Sequence, residues 1–248
     1  MNYIDDDIIK SLEYLKYVQE DTQNGMTTAE LIEYYKHIDA VYIHNTTAIE
    51  GNSLSLTAVK KLLKEPSFRK CTWGVTEREF DEVLNYPDVL HYSRCYAGKV
   101  DLEFIKQLHE RIMKDILESP GEFRTHNNIY ISGVDKLLTP CDLIEDELQT
   151  AINNYYLNIE NGENLFEQAV VFHYIFEGIH PFLDGNGRTG REVLNYMITS
   201  ADYPMMLFEG HRNYYLSLLQ CGDAGLMEEM VNGFAKIMLR DYGIACLQ

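Results

Sequence analysis

Residues 180–191 read His180-Pro181-Phe182-Leu183-Asp184-Gly185-Asn186-Gly187-Arg188-Thr189-Gly190-Arg191. A helical pattern over 163–179 must stop here, because a proline disfavours helix at the residue before it. A glycine-containing loop, Asp184 to Gly187, follows, and a new helix begins near Arg188. Such a loop brings unpaired backbone N–H groups to the positive end of a helix, which is an anion site. Gly185 and Gly187 let the backbone curl close to a ligand. Arg188 and Arg191 are three apart and share a helix face, and two guanidinium groups beside such a loop suit a polyphosphate. Asp184 is a hard oxygen ligand suited to Mg²⁺ held together with phosphates. His180 can take a proton near neutral pH. Gly-Asn-Gly alone is an ordinary turn, and paired arginines alone are an ordinary solvated face. Their coincidence within twelve residues describes a base, a metal ligand, an anion loop and two phosphate clamps.

Outward from this stretch the chain reads as helices. Apolar residues recur at helical spacing over 5–21 (Ile8, Ile9, Leu12, Leu15, Val18) and over 28–44 (Leu31, Ile32, Tyr35, Ile38, Val41). Thr27 or Thr28 is placed to cap the second of these. A short segment at 45–51 leads into a helix over 56–64. Further helices are expected over 75–97, 101–117, 142–159, 163–179, 188–201, 210–221 and 225–242. Residues 121–140 are helix-poor, and Ile129-Tyr130-Ile131, Ser132-Gly133 and Val134 onward read as a short β-hairpin. The expected fold class is therefore all-α, a helical bundle with a short β-hairpin at about 129–140.

Composition narrows the function. The 248 residues are 46% hydrophobic and 24% charged, an ordinary globular balance. The net charge of −18 disfavours nucleic-acid backbones and anionic membrane surfaces as partners. No apolar run reaches the ~20 residues of a membrane span. The acidic Met-Asn-Tyr-Ile-Asp-Asp-Asp start lacks the pattern of a secretory signal, so a cytoplasmic protein is expected. The five cysteines are widely spaced without a C-x-x-C pair, and they read as reduced, mostly buried thiols.

The 180–191 stretch resembles the signature of the Fic family, H-x-F-x-[D/E]-G-N-G-R-x-x-R, at every specified position. Supporting features run from roughly residue 40 to 240: His173 on the preceding helix, the 129–140 hairpin, and Tyr203-Pro204 with Tyr214-Tyr215. The resemblance implies a protein adenylyltransferase that moves AMP from ATP to a Ser, Thr or Tyr hydroxyl. It implies His180 as general base and Phe182 as a core anchor. Asp184 would hold Mg²⁺ against the α- and β-phosphates, and Gly185, Asn186 and Gly187 would form the anion hole. Arg188 would act on the β/γ side and Arg191 would bind the γ-phosphate. The hairpin resembles the family's flap, which pairs with a target strand. Residues 1–98 would form an N-terminal helical region and 99–248 the catalytic core.

Thr46-Thr47-Ala48-Ile49-Glu50-Gly51 resembles the family's inhibitory motif, [S/T]-x-x-x-E-[G/N], placing an inhibitory helix at about 45–52. Thr46 and Glu50 share a helical face, and by resemblance Glu50 engages Arg191 and excludes the γ-phosphate. The alternatives are an AMP-removing enzyme in which Glu50 orients water, a Doc-like kinase, which Gly187 disfavours, and a catalytically silent toxin or binding module. A homodimer and self-modification at one of the 18 tyrosines are further expectations. Residues 220–225 contain no asparagine of the kind that holds adenine in some relatives.

Overall fold

The computed structural model describes residues 3–71, 74–127, 138–210 and 212–245. Its helices are α1 (Asp6–Asn24), α2 (Thr28–Ile49), α3 (Leu56–Lys64), α4 (Glu77–Leu84), α5 (Tyr86–Cys95), α6 (Leu102–Ile112), α7 (Ile144–Glu160), α8 (Leu165–Ile179), α9 (Asn186–Thr199), α10 (Arg212–Asp223) and α11 (Met227–Asp241). Among the described residues there is no strand, and no helix is long and apolar enough to cross a membrane. Residues 129–137 of the expected hairpin lie outside the described residues, and 138–140 adopt no regular structure. The chain divides into two units, residues 1–84 with 198–248, and residues 85–197.

In the first unit α1 packs on α11, and the Asp5 backbone N–H donates to Asn232 Oδ1 at 3.0 Å. The α2 helix opens with a capping box between Thr27 and Glu30. It runs unbroken to Ile49, so the expected separate segment at 45–51 is instead the last turn of α2 and its cap. Asn45, Thr46 and Thr47 are buried there, and Thr47 donates its hydroxyl back to the Ile43 carbonyl at 2.8 Å. Glu50 is the exposed C-cap. Arg212, opening α10, donates from Nε to the Ile49 carbonyl at 2.8 Å, a cation on a helix C-terminus that has no basic residue in its own last turn.

In the second unit α7 packs along α8, and α5 along α6. The expected single helix over 75–97 is two, α4 and α5, parted at Asn85. Pro87 explains the break, since it lacks an N–H and its ring collides with the carbonyl four residues back. The freed Asn85 side chain donates to the carbonyls of Ile112 and Lys114 at 3.1 and 2.8 Å and closes the end of α6. That helix therefore stops at Ile112 rather than 117. The cysteines also depart from expectation: Cys95 is exposed, and Cys141 and Cys221 are half-buried free thiols.

Candidate active site

The site is built where α8 stops and α9 starts, both within the second unit up to Met197. His180 caps α8 in the left-handed region, φ 51° and ψ 62°. A non-glycine residue there is strained and persists only when its surroundings fix it. They do so at the carbonyls. Arg124 Nε donates to the His180 carbonyl at 2.8 Å, its Nη2 to the Ile179 carbonyl at 3.2 Å, and its backbone N–H to the Pro181 carbonyl at 2.9 Å.

Phe182 is fully buried, as expected of an anchor. Its ring stacks on His109, with centroids 3.7 Å apart and planes parallel within 1°. Asn186 grips the Phe182 backbone from both sides. Its Nδ2 donates to the Phe182 carbonyl at 2.9 Å, and its Oδ1 accepts the Phe182 N–H at 2.8 Å. The helix begins at Asn186, two residues earlier than the expected Arg188, so Asn186 and Gly187 belong to its first turn. Backbone N–H groups in that turn have no helical carbonyl to bond.

Gly185 sits at φ +77°, and a Cβ there would lie 2.6 Å from Met113 Sδ. Only glycine fits both the backbone angle and the space. Asp184 accepts the Gly185 N–H at 2.6 Å and pairs with Arg188 Nη2 at 3.3 Å. Its side chain is 38% exposed, whereas Arg188 and Arg191 are 1% and 0% exposed. The two arginines that spacing alone would place on a solvated face are therefore buried. Gly190 allows this, since a Cβ there would meet Glu177 Oε1 at 2.5 Å and Phe176 Cδ1 at 2.9 Å on α8.

Among the described residues no group of three His, Cys, Asp or Glu side chains could hold a metal. One partly exposed carboxylate beside a helix N-terminus nonetheless fits Mg²⁺ that shares its coordination with phosphate oxygens and water.

Two residues here carried no sequence signal. Arg124 lies in the helix-poor stretch, and His109 occupies an amphipathic helix. His109 accepts the Gly121 N–H at Nδ1 (2.8 Å), which leaves Nε2–H to donate to the Asp184 carbonyl at 2.9 Å. Burial, with the Arg188 charge, pushes this ring down to about 4, so it is neutral near pH 7. His173 is pushed down to about 3 by burial and by Arg191. It is a neutral packing histidine against α9.

Residues 99–198 match the model of the Fic/DOC family. The chain is 29% identical over 227 residues to the protein adenylyltransferase Fic of Aedes aegypti, covering 87% of this chain and 42% of that one. It is also 29% identical over 189 residues to protein adenylyltransferase fic-1 of Caenorhabditis elegans, covering 72% and 35%. Among solved structures, a Fic-1 fragment from C. elegans aligns with a TM-score of 0.78 at 24% identity over 94% of this chain and 69% of that one. A Fic domain containing signaling protein from Bacteroides thetaiotaomicron aligns at 0.73 and 18% identity, covering 96% and 99%. These structural likenesses establish the fold. The chain spans about two fifths of the length of the insect relative.

Proposed function

We propose that the chain is a Fic-type protein adenylyltransferase that transfers AMP from ATP to a Ser, Thr or Tyr hydroxyl of a protein, a reading supported by the match of residues 99–198 to the Fic/DOC family model. The observation that carries this reading is the α9 N-terminus, with Gly187 in its first turn and Gly185 just before it, two buried arginines behind it and His180 at the end of α8, six residues ahead of Asn186. His180 accepts the hydroxyl proton as the oxygen attacks the α-phosphorus in line. The bond from that phosphorus to the bridging oxygen breaks, and pyrophosphate leaves. The N–H groups of Asn186 and Gly187 would face the phosphate oxygens, joined by that of Gly185, which donates to Asp184 Oδ1 here, once Asp184 turns to its cation, and Arg188 balances charge on the β/γ side. Arg191 receives the γ-phosphate. Asp184 would hold Mg²⁺, which when bound neutralises the α- and β-phosphates. These groups supply mostly orientation and charge, which is what phosphoryl-group chemistry asks of a protein.

We further propose that the activity is held in check by Glu50 with Thr46. One guanidinium cannot serve a carboxylate and a γ-phosphate together, so Glu50 at Arg191 would leave ATP in an unproductive pose. The buried last turn of α2, with Thr46 inside it and Arg212 on its end, supplies a rigid mount for the carboxylate. The test is AMP incorporation by the wild type, Glu50→Gly and His180→Ala. The first substitution should raise it and the second abolish it with nucleotide binding kept. Turnover retained by His180→Ala removes the base, and unchanged transfer in Glu50→Gly removes the brake.

A further inference from the structure

We propose that Arg124 is a positioning residue that locks the His180 turn to both stems of the segment between Asn127 and Leu138. The proposal rests on the reading of His180 as base. Arg124 is only 5% exposed, yet it carries a permanent charge. Its guanidinium turns to backbone carbonyls on three stretches of chain: Ile179 and His180 at the end of α8, His126 on one stem at 3.2 Å, and Thr139 on the other.

Other bonds draw the same stems together. The Cys141 N–H donates to Asn127 Oδ1 at 2.7 Å, its thiol donates to the Thr125 carbonyl at 3.4 Å, and Thr139 Oγ1 donates to Glu147 at 2.6 Å. These would close the stems without Arg124. None of them reaches His180. The guanidinium links the stems to the strained φ 51° residue.

Its chemistry suits the task. The last carbonyls of α8 have no helical donor, and α8 has no basic residue in its last turn. A planar fork with donors at Nε, Nη1 and Nη2 spans separated carbonyls, while a lysine ammonium is one point. Loss of the fork frees the His180 carbonyl, relaxes the left-handed turn and swings the imidazole from the line of the target hydroxyl.

The experiment compares Arg124→Lys and Arg124→Met with wild type in the Glu50→Gly background. It measures the kcat and KM of AMP transfer, the Kd for Mg-ATP, and backbone hydrogen exchange at 125–127, 139–141 and 179–182. The expected result is a fall in kcat of roughly 10- to 100-fold, as misplacing a catalytic group by about 1 Å produces. The Kd for Mg-ATP should change less than about twofold, and exchange should rise at the stems and the His180 turn together. Arg124→Lys, which keeps charge and volume, serves where Arg124→Met fails to fold. Exchange that rises at the stems alone, or a lysine variant that keeps the parent kcat, overturns the proposal. If the parent protein transfers no AMP, the functional reading falls, and the exchange pattern still decides whether Arg124 couples the two.

Discussion

Replacing His109 by glutamine tests whether the site is braced by a neutral imidazole. The ring accepts the Gly121 N–H and donates to the Asp184 carbonyl while stacking on Phe182. A proton added at Nδ1 would break the first bond and place an uncompensated charge in a buried site. The fold therefore holds His109 down to about 4, against 6.5 for the ordinary ring. A depressed histidine contributes stability that is complete above the unfolded value and is lost as pH falls toward the folded one. For a shift of this size the loss between pH 7 and pH 5 is about 2 kcal/mol, taking about 1.4 kcal/mol per unit. His173, pushed down to about 3, and Asp241, pushed up to about 6 by burial, titrate in both proteins and cancel in the difference. Glutamine keeps a donor and an acceptor but loses the stacked ring and the titration, so the variant is less stable at pH 7 and loses less on acidification. Urea unfolding followed by circular dichroism at both pH values measures this. With a slope of about 2–3 kcal/mol per molar urea, the midpoint gap between wild type and variant should shrink by about 0.7–1 M from pH 7 to pH 5. An equal gap at the two pH values would refute the neutral, buried imidazole.

Two further outcomes follow from local geometry. Gly185→Ala should cost about 2–5 kcal/mol, from a left-handed alanine and a contact with Met113 at 2.6 Å. Gly210→Ala, at φ +68° with open space around it, should cost only about 1–2 kcal/mol, and equal losses in thermal or urea unfolding would discard the steric argument. Asp241→Asn should cost about 1–3 kcal/mol at pH 7, because both carboxylate oxygens accept backbone N–H groups, from Leu207, Phe208 and Glu209. The raised Asp241 carboxyl favours the fold more at low pH and loses that contribution as pH rises from about 4 to about 6. A variant as stable as wild type at pH 7 would contradict the triple acceptance.

The sequence made the helical class and the centre of the site legible for specific reasons. The α3 helix falls on 56–64 as its spacing requires, and the twelve residues from His180 carry their chemistry in consecutive positions. Elsewhere tertiary context decided. The polar Asn45-Thr46-Thr47 turn stays helical because it is buried, which residue type alone does not signal. Ile32 and Tyr35, read as part of an apolar stripe, are exposed at 50% and 39%. Pro87 was a visible stop inside the 75–97 pattern, and the structure obeys it. His109 and Arg124 were invisible because they act on backbone groups 75 and 56 residues away. A bond to a distant carbonyl leaves no trace in local spacing.

The central claim is that this chain moves AMP to protein hydroxyls under restraint by Glu50. Its most direct test is protein labelling from α-labelled and γ-labelled ATP with Mg²⁺, using wild type and Glu50→Gly side by side. The account predicts label from the α position only, weak in the wild type and strong in the variant. Label from the γ position would make the chain a kinase. No label from either, with AMP released from a pre-modified target, would make it a hydrolase and contradict the account.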